Sequence, residues 1–467
     1  MATPLTSYPR ERFLDNLCRD YELKYPLSAA AQARANSVLV NGVSHGVRYF
    51  KPYPFRVTAA QGAHVVDVDG NEIVDFWQGH YANILGHNPE VIRCALIDEL
   101  EHGFGLQTGL PEERQTEFAL TMTRAVGAEK IRLTTSGTLA TMYAIMLARG
   151  YTGRQLVVKI AGGWHGANPL ALKGVQRSAT GYDRADSAGV PSTTSDEIVV
   201  TRFNDTERLH DLFRTYGDRI ACMIFEPCLG SAGFIPATGE FMRAARELTE
   251  QYGALLILDE VITGFRFCAG GVHRLYGITP DLATYGKVVG GGMPISVVAG
   301  RADVMNQAAE EAEPRVWFNG GTFSAHPLSL LAARAIIEHL IAHEDSIYPS
   351  LAALGDRLRR GVEQVFADRG ILARCTGHGS NVVQGGSLAS VYFPFHPDFY
   401  PAATEDYTDP ALSDVALREQ GLKLGLLLHN INVVHGLGAL SIAHTQADLD
   451  RVFEACDAFA RRLLAGR

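Results

Sequence analysis

Apolar and polar positions along this chain fall into three successive patterns. Residues 11–38 alternate charged and apolar positions at helical spacing and predict an N-terminal arm. Next, Val65-Val66-Asp67-Val68, a turn at Asp69-Gly70-Asn71 and Glu72-Ile73-Val74-Asp75-Phe76 predict a β-hairpin. From about 110 to 300, short strand-like runs at 131–134, 156–160, 198–201, 221–226 and 254–258 predict strands. Amphipathic stretches at 112–126, 138–149, 206–216 and 240–252 predict the helices between them. That alternation predicts an α/β fold, a mostly parallel sheet covered by helices on both faces.

Beyond 325, helical periods at 327–342, 346–369 and 446–465 enclose Gly-rich, strand-like segments. They predict a smaller α+β domain joined to the N-terminal segment. The division expected is 1–75 for the arm and part of the small domain, 76–324 for the large domain and 325–467 for the C-terminal small domain. Residues 176–197, rich in Ser, Thr, Asp and Gly, predict an excursion or mobile loop. Residues 393–414 carry four prolines and little periodicity, and predict a second irregular segment.

Composition narrows the class. The 467 residues suffice for two domains with a large shared core, and 46% hydrophobic with 20% charged residues is ordinary for a globular protein. A net charge of −9 argues against a nucleic-acid binder. No apolar run approaches the roughly 20 residues of a membrane span, and Met1 to Arg10 lacks the apolar core of a secretory signal. Seven Cys without close pairing fit a reducing compartment, so the cytoplasm is the expected location. The 16 His are scattered without a tight ligand set, and no metal site is expected.

Chemistry concentrates where the strands end. The run Leu255-Leu256-Ile257-Leu258 stops at Asp259, and Lys287 follows 28 positions later, just before glycines 290–292. Ligands of parallel sheets collect at the carboxyl ends of strands. A buried carboxylate there is costly unless it meets a cation, and a protonated pyridine nitrogen is a suitable one. A lone lysine suits an aldehyde, and only seven Lys occur in the chain, at 24, 51, 130, 159, 173, 287 and 423. Together Asp259 and Lys287 fit pyridoxal 5'-phosphate (PLP), whose ring takes up the electrons of a carbanion beside an amine. Taken singly, Asp259 also fits a turn cap or a bridge to Arg266, and Lys287 a solvent lysine in a flexible loop.

Three further segments fit the same ligand. Thr134-Thr135-Ser136-Gly137-Thr138 closes a strand and opens a helix, where hydroxyls, backbone N–H groups and the helix dipole (about 0.3–1 kcal/mol) attract an anion. A plain N-cap would look the same. Trp164-His165-Gly166 follows a strand and offers an aromatic face for a flat ring, or a core Trp beside a capping His. Gly320-Gly321-Thr322-Phe323 offers a second phosphate ligand. Arg48, with its planar fork, is the candidate for a substrate carboxylate.

In combination these segments resemble the class III aminotransferases, most nearly the glutamate-1-semialdehyde 2,1-aminomutase group and its aminotransferase relatives. The resemblance covers roughly 35–465 and rests on several motifs in order: Ser136-Gly137-Thr138 with Ala140-Thr141-Met142, the segment 147–154, Trp164-His165-Gly166, 259–266, 286–294, and 320–323 with Pro327-Leu328. It implies a fold type I enzyme, a large domain with a mostly parallel sheet plus a smaller α+β domain, working as a homodimer with shared active sites. It implies that Lys287 forms a Schiff base with PLP, that Asp259 pairs with the pyridinium nitrogen, and that Val261 and Trp164 pack on the two ring faces. Ser136, Gly137 and Thr138 would hold the phosphate, joined by Thr322 from the neighbouring subunit, and Glu226 would belong to the network around the ring.

Departures concern the substrate. The family's Gly-Thr-Glu has Leu139 in third place, the aminomutase's Gly-Val-Asn-Ser-Pro-Val-Arg segment reads Gly42-Val43-Ser44-His45-Gly46-Val47-Arg48, and its Trp-Gly pair falls within Gly79-His80-Tyr81-Ala82-Asn83. Arg48, His80 and Tyr81 are therefore the expected substrate contacts. The activity expected is an aminotransferase passing an amino group between an amino acid or amine and an oxo acid. An aminomutase or racemase, or a decarboxylase or carbon–carbon bond-forming enzyme of secondary metabolism, would need the same lysine and aspartate. A non-catalytic cofactor-binding protein would not need both.

Overall fold

The computed structural model describes residues 2–465 except 6, 7, 104, 177–180, 379–382, 384 and 385. The N-terminal arm is two helices, α1 (Arg10–Lys24) and α2 (Pro26–Asn36). The predicted hairpin is β2 (His64–Asp67) and β3 (Glu72–Asp75), and β1 (Val57–Gln61) pairs antiparallel with β2. Its turn is closed by Asp67, whose carboxylate accepts the Asn71 N–H at 2.8 Å, while Gly70 takes φ 84°.

The chain then passes through α3 (Glu90–His102) and α4 (Glu113–Val126) into β4 (Lys130–Thr134). There follow α5 (Gly137–Thr152), β5 (Leu156–Ile160), β6 (Ile198–Thr201), α6 (Thr206–Tyr216) and β7 (Ile220–Phe225). The next elements are α7 (Gly239–Tyr252), β8 (Leu255–Glu260), β9 (Leu282–Tyr285) and β10 (Ser296–Gly300). Seven of these strands form one sheet in the order β4-β10-β9-β8-β7-β5-β6. β10 is antiparallel to both neighbours, and the other strand pairs are parallel.

Local chemistry explains these elements. All six residues of β7 are buried, as expected for a strand covered on both faces. In α7 the Thr238 hydroxyl caps the first turn by accepting the Phe241 N–H, Gly253 ends the helix at φ 63°, and Phe241, Met242, Ala245, Leu248 and Thr249 form the inward stripe. α5 likewise ends at Gly153 with φ 67°.

After α8 (Pro327–Ala342) and α9 (Glu344–Asp368) come α10 (Leu422–Leu427), β11 (Ile431–Asn432) and α11 (Gln446–Ala465). β11 pairs parallel with β3, so the small sheet β1-β2-β3-β11 joins the two ends of the chain. One apolar core runs from Phe13 and Leu17 through Val288 and Val297 of the large sheet region to Phe459 and Leu463. Residues 393–414 are mostly irregular but include a short helix, Thr404–Thr408. The loop expected at 176–197 holds the short helix Ser192–Asp196, and 177–180 lie outside the described residues. Among the described residues no helix is long and apolar enough to cross a membrane.

Candidate active site

β5, β7, β8 and β9 are parallel neighbours, so the loops leaving their carboxyl ends converge on one edge of the sheet. A cavity of about 270 Å³ lies there, lined among others by Ser136, Trp164, Glu226, Asp259, Val261 and Lys287. Gly137 and Thr138 line it as well.

Alternation along β8 sends Asp259 to this cavity and Glu260 to the other face, where it binds His273 Nδ1 at 2.7 Å. Asp259 is 3% exposed and accepts three hydrogen bonds: from His165 Nδ1 at 2.7 Å, Thr284 Oγ1 at 3.0 Å and the Val261 N–H at 3.1 Å. Thr284 stands directly opposite Asp259 in the β8–β9 register. His165 is fully enclosed, and burial lowers its pKa. It is thus a neutral ring donating through Nδ1, with a buried Nε2 that meets no partner among the described residues.

Glu226 directly follows β7. Its two oxygens accept the N–H groups of Trp164 (2.9 Å) and Gly230 (3.0 Å). Burial, reinforced by the Asp259 charge, raises its pKa to about 7. Lys287 follows β9 with φ 47°, held in the left-handed region as it enters a short 3₁₀ turn. Burial lowers the Lys287 pKa, while Asp259 and Glu226 pull the other way. At the opposite wall Ser136 caps α5, its hydroxyl accepting the Leu139 N–H at 3.3 Å. A Cβ on Gly137 would sit 3.1 Å from both γ-carbons of Val261, so the helix N-terminus can approach the cavity floor only without a side chain.

The geometry has counterparts among known proteins. Residues 47–383 match the family profile described as Aminotransferase class-III. The glutamate-1-semialdehyde 2,1-aminomutase of Thermoplasma acidophilum is 36% identical over 429 residues, 91% of this chain and 96% of that protein. The crystal structure of an omega-transaminase from Sphaerobacter thermophilus superposes with a TM-score of 0.83 at 32% identity, covering 94% of this chain and 98% of that one. A structure described as a transaminase with PLP bound gives 0.81 at 30% identity, covering 95% and 99%. The chain belongs to the class III aminotransferases.

As a class III protein it has the fold type I architecture and is a PLP-dependent enzyme whose family acts on small amines and amino acids. The residues present fit that cofactor: a buried, three-fold hydrogen-bonded carboxylate for a ring N–H, an amine at the far wall, and a capped helix N-terminus for a phosphate. Asp259 does not bridge to Arg266, which instead donates to Ser387 Oγ, the Leu440 carbonyl and the Tyr81 carbonyl.

Not all expected site residues meet in this cavity. Trp164 lines it and is 41% exposed. Thr322 lies elsewhere, in a depression where its carbonyl accepts from Gln107 at 2.8 Å. Tyr81 is buried in an apolar cluster with Phe234 and Ile262, stacked edge-on against Phe234, and so backs the cavity wall through Ile262. Arg48 and His80 are paired, Nε to Nε2 at 3.5 Å, and border a second cavity. Burial, then the Arg48 charge, lowers the His80 pKa to about 4, and the Lys287 charge reaches it too.

His80 belongs to a run of four left-handed residues, Gln78 to Tyr81, with φ of 45°, 61°, 62° and 68°. Non-glycine residues pay roughly 1–2 kcal/mol each for that conformation. Asp75 and Arg266 hold the run in place, through the Gln78 N–H at 3.0 Å and the Tyr81 carbonyl. Sequence reasoning missed the roles of His165 and Thr284. A signal existed for Thr284, a hydroxyl within the otherwise apolar buried strand β9.

Proposed function

We propose that this enzyme is an aminotransferase that takes the amino group of a carboxylate-bearing amino acid and passes it to an oxo acid. The observation that carries the proposal is the Lys287–Asp259–Glu226 cluster in one cavity with Arg48 bordering the next beside His80, where among the described residues Arg48 bonds to Ser44 and His80 and to no carboxylate. Bound PLP supplies a positively charged ring that acidifies the C–H beside the substrate amine. Lys287 Nζ, its pKa lowered by burial, takes the proton from the amine-bearing carbon. Asp259 holds the ring N–H, and His165 and Thr284 hold Asp259. Ser136 and the first N–H groups of α5 hold the phosphate, with Thr322 of a second copy completing the site in a homodimer. Arg48 orients the substrate carboxylate by two parallel hydrogen bonds. Glu226 fixes the Trp164 loop at the cavity, where the indole would lie against the ring.

An aminomutase is the second reading, supported by the 36% identity to the Thermoplasma acidophilum protein. The altered segments around Arg48 and His80 weigh against the same substrate. Titrating PLP-loaded enzyme with an amino acid panel, without oxo acid, separates the two readings. Transamination predicts loss of the visible cofactor band with one oxo product per cofactor. A band that survives many turnovers, with an isomerised product, would replace the proposal with the aminomutase.

A further inference from the structure

The second cavity, of about 450 Å³, lies across His80 from the Lys287 site. Its walls are largely apolar, with Val43, Phe50, Pro54, Phe55, Val57 and Val65 facing inward. Three cations stand among them, Arg48, Arg56 and Lys423. Each spends its hydrogen bonds on neutral acceptors: Arg48 on Ser44 and His80, Arg56 on Gln32 and the Gly42 carbonyl, Lys423 on the Val433 carbonyl at 2.9 Å. The one carboxylate lining the cavity, Asp75, is already committed to His87 (2.9 Å), Asn432 (2.7 Å) and the N–H groups of Trp77 and Gln78. Glu419, the other acid whose charge acts on Lys423, is bound to Arg418 and His435.

Lys423 is the unusual member. It projects from α10 with its ammonium 4.4 Å from the centre of the Phe50 ring, and among the described residues only one of its three donors has an oxygen. Burial brings its pKa down to about 8, the cost of keeping a cation where water is scarce. An anion entering the cavity would remove that cost and take up the free donors.

Resting on the aminotransferase reading, we propose that this cavity receives the substrate side chain and that the side chain is apolar and ends in a carboxylate bound by Lys423. Arg48, on the rim shared with His80, then takes the carboxylate nearer the amine. The substrate class is an amino diacid with a methylene spacer.

The test compares PLP-loaded wild type and Lys423→Met, whose unbranched apolar chain keeps the packing on Phe50. Two amino donors of equal length are used, 2-aminohexanedioate and 2-aminohexanoate, with hexanedioate and hexanoate as amine-free binding probes. Wild type is expected to favour the diacid by at least tenfold in kcat/KM, and the variant to lose at least tenfold of that preference. Hexanedioate should raise the melting temperature of wild type and not of the variant, while hexanoate treats them alike. The proposal is overturned if wild type shows no preference for the diacid, if the variant keeps the preference, or if hexanedioate shifts both proteins equally. If no amino donor changes the cofactor band while hexanedioate still binds through Lys423, the aminotransferase reading falls and the anion site stands.

Discussion

Replacing His165 by Phe removes the shortest of the three hydrogen bonds to Asp259 and keeps a planar ring in its place. Both side chains are nearly inaccessible, at 1% and 3%, so water cannot substitute for the lost donor. A hydrogen bond to a charged group contributes about 1.5–3 kcal/mol. At about 1.4 kcal/mol per factor of ten, kcat should fall roughly ten- to 150-fold if the aspartate's alignment with the cofactor carries the loss. The loop itself should survive, because the His165 carbonyl is independently held by Thr141 Oγ1 at 2.6 Å and Asn168 Nδ2 at 3.2 Å. KM should therefore change little. His165→Asn, whose amide can place a donor near Nδ1, should recover most of the rate. The assay is steady-state kinetics of PLP-loaded variants with the best donor, alongside their visible spectra. A Phe variant within twofold of wild type in kcat, or an Asn variant as impaired as Phe, would refute the reasoning.

Other outcomes follow from particular contacts. Arg48→Ala should raise KM for carboxylate-bearing donors about tenfold or more, with plain amines less affected, since one charge-assisted pair contributes about 1.5–3 kcal/mol; an equal loss for both substrate types, measured side by side, would remove that role. Gly137→Ala forces its Cβ to 3.1 Å from both Val261 γ-carbons, an overpacking of about 1–3 kcal/mol, so PLP affinity measured by equilibrium dialysis should drop while the helix remains folded by circular dichroism. His444 accepts the Ser441 N–H through Nδ1 at 3.0 Å, and burial lowers its pKa to about 4. The unfolded chain protonates this ring first, so its contribution is intact above about pH 6.5 and is lost as pH falls toward 4, by roughly 3 kcal/mol. Urea titrations of wild type and His444→Asn across that range should show a flatter pH dependence for the variant.

Much of this was legible before any coordinates. β4, an edge strand antiparallel to its neighbour, alternates as Ile-Arg-Leu-Thr, whereas the strands at 156–160, 198–201 and 254–258 are mostly apolar runs, the mark of parallel strands covered by helices. β9 and β10 left a weaker one: Leu-Ala-Thr-Tyr and Ser-Val-Val-Ala-Gly are short and mixed in size, and their place in the sheet depends on distant partners. α3 was missed because its single buried residue, Ile92, gives little amphipathic signal. In the site, Asp259 could be read because a carboxylate ending an apolar run is conspicuous, and Lys287 because lysine is rare in this chain, whereas Glu226 came only from the family resemblance. His165 could not, because a histidine after a strand looks the same whether it caps a turn or binds an acid 94 residues away. Tyr81 was expected to face the substrate, but left-handed backbone at four successive residues turns it into the apolar cluster with Ile262, and no local pattern announces that turn. Lys423 lies far along the chain from Arg48, and the two share a cavity only in the folded protein.

The position of β10 bears on how the protein comes into being. β4, which delivers the turn proposed to hold the phosphate, has a single neighbour in the sheet, and that neighbour is β10. During synthesis β4 therefore emerges about 160 residues before the strand that will fix it, a count given by the Ser296–Thr134 pair. The βα units from β5 to β9 can pack as they leave the ribosome, in sequence order, while β4 has no strand partner in the sheet until β10 emerges. Insertion of one reversed strand then closes the gap between β4 and β9 and brings Ser136 to face Asp259 and Lys287. The strand side of the Ser136 turn is thus completed by a segment that lies beyond every residue expected at the site except Thr322.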